Sequence, residues 1–224
     1  DELWRRGIIR EQGTDGYDFS HGKLRGVAYA GLSNATRRRN HVLVARALLR
    51  LHGDDIGPVA AAIADHLDQA GDAAEAIIWY RRGARWAQQL HANTDAIRLL
   101  ERGRTLIHTL PESPARAALE LDVVAALPTP LSVVKGFAAP ELFEAQQRAL
   151  SIAGALGHAV DPSLLRSLVM SNLCRHDFQR AAETASQLLA LASEHDDPVL
   201  DLESRYLLGI SAFWNGSFDA ARGH

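Results

Sequence analysis

Apolar residues in this chain recur at helical spacing almost from end to end. Val59, Ile63 and Leu67 lie four apart within Pro58–Ala70. Ile77, Tyr80, Ala84 and Ala87 stripe one face of 73–90. Gly71 and Asp72 turn the chain between these two helices, and "HANT" stops the second. Asn93 or Thr94 is expected to cap a third helix that reaches Thr109 before "LPESP". Further helices are predicted at 114–127, 140–156, 162–174, 178–194 and 198–214. The stretch "PTPLSVVKGFAAP" is predicted to be a loop with at most one short turn.

The first fifty residues read differently. Ile8 and Ile9, the cluster "EQGTDG" and then "YDF" signal a β-hairpin. Two strands alone are marginal and need a packing partner. Ser20 is expected to cap a helix whose apolar face is Leu24, Val27, Ala28 and Leu32. Gly31 and "LSNAT" break it, and Ser33 or Asn34 caps the next helix, striped by Val42, Ala45, Leu48 and Leu49. A hairpin followed by helices suits the end of a winged-helix module. Residues 1–53 are therefore expected to be the C-terminal part of such a module, and 54–224 a helical repeat domain. The fold class expected is all-α, an α-α superhelix preceded by a short hairpin.

The helical part resembles a divergent tetratricopeptide array. In "LGISAFWNGSFDAA", Leu208, Gly209, Ala212, Gly216, Phe218 and Ala221 fit that repeat's frame. Gly209 and Ala221 would let two helices approach closely, Gly216 would make the turn, and Phe218 would plug the gap between helices. The frame also fits Ile63, Ala64, Leu67, Gly71 and Ala76, and again Leu168, Phe178, Ala181 and Ala185. Tyr80 lies on the inner stripe of the first such unit. Ala76 and Ala181 are 105 residues apart, close to three periods of about 34. Ala145 is a degenerate member 36 residues before Ala181, and Ala221 follows 40 residues after it. The array stops within a repeat, at His224, and the opening "DELWRRG" is equally abrupt. A stacked array needs a polar cap at its end, so the natural protein is expected to continue.

The chain has 224 residues, 47% hydrophobic and 23% charged, with net charge −3. That balance argues against a protein whose main business is neutralising nucleic-acid phosphates. Cys174 is the one cysteine, which excludes an internal disulfide and fits a reducing, cytoplasmic compartment. No apolar run long enough for a bilayer and no signal peptide are evident, so no membrane partner is expected. The histidines form no HExxH or Cys/His metal spacing, and no GxxxxGK[ST] phosphate loop occurs. No nucleophile set, metal set or carboxylate pair suggests an enzyme. Arg37–Arg39 read as a solvated helix start or as salt-bridge partners of a further domain, ahead of a grip on nucleic acid or phosphate. Arg81, Arg82 and Arg85 read as an exposed ridge, His66 and Trp79 as inter-helix packing, and Cys174 as core.

The stretch from Leu3 to Ala87, through "YDFSHGKLRGVAYAGLSNATRRRNHVLVARALL" and "ADHLDQAGDAAEAIIWYRRGARWA", resembles large bacterial signal-transducing ATPase regulators of the STAND class. These carry an ATPase core, a winged helix and tetratricopeptide-like repeats. Many have a bacterial transcriptional activator domain or another DNA-binding domain, and some relatives have a class III adenylate cyclase domain. The resemblance implies a transcription-regulating parent that binds ATP or ADP through an upstream ATPase domain. It implies no cofactor within these residues, and DNA contact only through a domain not among them. It further implies that the repeats take a protein partner or small effector. His21, in "FSH", is similar to the histidine that approaches the β-phosphate of bound ADP in switch ATPases. A histidine at a helix N-terminus is well placed for a phosphate. Gly22 and Gly26 depart from that pattern and loosen the helix by roughly 1 kcal/mol each relative to Ala. Structural junction, nucleotide contact and interdomain contact all stand as readings of His21. Rival readings of the whole are the same module in a cyclase or kinase protein, and a freestanding repeat adaptor.

Overall fold

In a computed structural model, described over residues 2–13 and 16–224, the chain is all-α apart from one antiparallel hairpin. A single helical turn α1 (Glu2–Arg5) precedes β1 (Ile9–Gln12) and β2 (Gly16–Phe19). The strands pair Ile9 with Phe19 and Gln12 with Gly16. Thr14 and Asp15 of the expected turn lie outside the described residues. The Ser20 hydroxyl does not cap the next helix. It donates instead to the carbonyls of Gly7 and Ile8, closing the hairpin's base.

The N-cap of α2 (Gly22–Ala30) is His21, whose side chain makes no capping bond. The expected apolar face of α2 is not buried: Val27 is 72% exposed, Leu24 is exposed and Leu32 only half-buried. The helix has the right periodicity and nothing among the described residues to pack it on. In contrast, α3 (Asn34–His52) is capped by Ser33, which accepts from the Thr36 amide. It buries Ala45 and lies along α4 (Ala60–Ala70). A 3-10 turn at Gly57–Val59 takes the place of the expected first turn of that helix.

From α4 the chain folds back repeatedly through α5 (Ala73–Gln89), α6 (Asn93–Ile107), α7 (Pro114–Val124), α8 (Pro128–Lys135), α9 (Pro140–Leu156), α10 (Pro162–Cys174), α11 (Phe178–His195), α12 (Pro198–Trp214) and α13 (Phe218–Gly223). Most pack chiefly on their sequence neighbours, but α7 and α8 each lie against α6 and α9 rather than on one another. One apolar core runs from Ala45 to Leu208. Neither Asn93 nor Thr94 caps α6. Ala92 holds that position without a side-chain bond. The expected loop after Leu127 is the helix α8: Pro128 and Pro130 sit in its first turn, where a proline's missing N–H is no loss.

Pro114–Lys135 is long and apolar enough to cross a membrane by composition, with mean hydropathy 1.5 over 18 residues, which corrects the expectation that no such run exists. The chain breaks between α7 and α8, and Val123, Val124, Leu127 and Leu131 enter the common core.

One turn geometry is used over and over. Gly71, His91, Gly157, His176, Asp196 and Gly216 all have φ between 51° and 87°. In each case the next amide reaches back five residues, as in Asp72 N to Leu67 O and Ser217 N to Ala212 O, both 2.9 Å. This is the Schellman ending of a helix. Gly71 and His91 are 20 residues apart, as are His176 and Asp196, and Asp196 and Gly216. The hairpin unit of this array is thus 40 residues long, and the longer interval from Ala76 to Ala181 spans the irregular pair α7–α8.

Candidate functional site

His21 sits at the hairpin-to-helix junction, exposed, with extended backbone at φ −138° and ψ 134°. No protein group fixes its ring, so the described residues give it no structural capping role.

The junction between the N-terminal elements and the array is built from other residues. The Arg37 guanidinium donates to the Ala30 and Leu32 carbonyls at 2.8 and 3.0 Å and lies 5.0 Å from the Tyr29 ring centre. Arg37 therefore clamps the break between α2 and α3. The Tyr29 hydroxyl lies 2.9 Å from His41 Nε2, and His41 Nδ1 lies 2.8 Å from His66 Nδ1. Three side chains thus form one hydrogen-bonded line from α2 through α3 to α4. Such a nitrogen pair shares a single proton: one ring donates and the other accepts. Either ring can be cationic, but both cannot without breaking the bond. Burial first, and then the His41 ring, hold the His66 imidazole below its ordinary value, while Asp65 pulls it up.

Beside this line, Tyr80 donates to Asp65 at 2.7 Å and to Asp68 at 3.3 Å. Arg102 Nε donates to Asp68 at 2.8 Å. Burial, followed by the Asp65 hydrogen bond and charge, pushes the Tyr80 phenol well above its ordinary value. This network ties α4, α5 and α6 together.

The repeat residues differ in their burial. Ala76 and Ala181 are fully buried and Tyr80 is 2% exposed. A methyl group on Gly209 would meet the Ala221 carbonyl at 3.6 Å, and Gly216 takes φ +79°. Phe218 does not plug an inter-helix gap. It is exposed, with its ring edge-on to Phe213 at 5.6 Å. Trp79 is buried and carries Arg82 4.5 Å from its ring centre, while Arg81 pairs with Asp122. Cys174 is exposed rather than core. It lines an apolar groove of ≈ 390 Å³ with Met170, Leu173, Phe178, Ile210 and Trp214.

The pattern along the chain singled out His66 as packing and missed His41 and Tyr29. The His41–His66 link spans 25 residues and depends on how α3 lies along α4. Among the described residues, no three His, Cys, Asp or Glu side chains gather as a metal site would require. Compared with protein-family models and with curated proteins, the chain matches none of them.

Proposed function

We propose that this chain is the sensor and relay part of a signal-transducing ATPase regulator. Its helical array receives a protein or small effector, and the hairpin–α2 segment passes the event to a nucleotide-binding domain of the same protein. The observation that carries the reading is the strand–His21–helix junction, joined to a helical array by the Tyr29–His41–His66 line. The uncovered stripe of Leu24 and Val27 supports it, since an adjoining domain would bury that face. Transcription control is the output proposed, with DNA contacted by another domain.

Such a relay is allosteric only if effector and nucleotide favour different states. The test is ADP binding by the native protein, followed by thermal shift. ADP should stabilise it, His21→Ala should weaken that effect, and residues 1–224 alone should show none. Equal shifts for both forms, or none for either, would overturn the reading. A native species of only 24.4 kDa in the source cells would favour the freestanding adaptor instead.

A further inference from the structure

A second groove lies between α9, α10 and α11, with a volume of ≈ 310 Å³. That is the lower end of the range for small-molecule sites. Leu165 and Leu168 form its floor, and Phe143, held under the Arg175 guanidinium at 4.4 Å, stands at its side. Asn172 also lines it. This residue is only 5% exposed, and it borders the groove.

The array's own turns show how unusual that residue is. Four positions before each left-handed turn residue stand Leu67, Ala87, Ala153, Asn172, Ala192 and Ala212. Five of the six are apolar, as packing at a helix end demands. Asn172 is the one polar residue in the series, and it is the one that borders this groove. Gln147, Thr184 and Gln187 add polar groups to the walls. Arg180 and Glu183, of opposite charge, stand one turn apart on α11 at the rim. Arg180 has a loose partner in Asp177 at 3.5 Å, and Glu183 accepts from Gln179 at 3.0 Å, so both keep free valences for a ligand.

We propose that this groove binds a free apolar amino acid or a dipeptide. Arg180 takes the carboxylate, Glu183 the ammonium group and Asn172 the carbonyl or amide. The side chain lies on Leu165 and Leu168. This names the effector class for the sensor reading and rests on that reading for its purpose. The binding itself needs no nucleotide, so it is measured separately from the ADP effect.

The experiment is thermal shift and calorimetry on residues 1–224 with each of the twenty free L-amino acids and with Ala-Leu and Leu-Leu dipeptides. A saturable stabilisation by at least one apolar probe is expected. Asn172→Leu should weaken it at least tenfold while raising Tm without ligand, because leucine already fills this position at residue 67. Arg180→Gln should weaken it without that gain. No saturable shift with any probe overturns the proposal. Equal affinity in wild type and in both variants overturns the site.

Discussion

Burial and the neighbouring His41 ring hold His66 below its ordinary pKa of 6.5, whereas Asp65 opposes them. The unfolded chain therefore takes up a proton near pH 6.5 that the folded chain resists. Folding has its full strength above that pH and weakens as the pH falls through the window below it. The charged or titratable groups about the pair are His41, Tyr29 and Arg37 from α2 and α3, and Asp65 from α4. Melting curves from pH 7.5 to 5.0 should show the wild type losing more stability than His66→Gln. Parallel curves would remove the shared proton from the account. At Tyr80, removal of the hydroxyl in Tyr80→Phe leaves Arg102 on Asp68 but strips the bond to Asp65. A loss of about 1 kcal/mol in urea unfolding is expected.

Among the elements, the glycines separate conformation from contact. Nothing surrounds Gly26 in α2, so Gly26→Ala should stabilise that helix by about 1 kcal/mol, read as helicity of the N-terminal segment. On α5, the same change at Gly83 would place a methyl group 3.1 Å from the Ala61 backbone nitrogen of α4. The gain in propensity is outweighed by prising two helices apart, and a net loss of about 1 kcal/mol is expected. His91 takes φ 58° without glycine's freedom, so His91→Gly should stabilise by roughly 0.5–1 kcal/mol. Prolines made several of these elements readable beforehand: Pro140, Pro162 and Pro198 each open a helix where one was expected. The same residue type hid α8, because Pro128 and Pro130 look like breakers until their place in the first turn is known. Histidine at His91 and His176 takes the left-handed turn position without glycine, yet both turns were legible from the residues around them. The groove around Asn172 could not be read at all, since it exists only once three successive helices, α9, α10 and α11, have packed at their particular angles.

The whole molecule divides by burial. Among the described residues, the hairpin, α1 and α2 contribute no buried residue, whereas α4 to α12 share one continuous core. Hydrogen exchange should find the α2 amides opening at close to unprotected rates in residues 1–224, with α5 and α6 among the slowest. Protection of α2 equal to that of α5 would contradict this picture. Helices that touch chiefly their sequence neighbours also have a mechanical consequence. Among the described residues no extensive contact clasps the two ends together, so tension applied between them loads the turns in series. Under a slow pull, such a chain yields one hairpin at a time, in steps of about forty residues at the regular turns. It behaves as an extensible spring rather than a rigid strut.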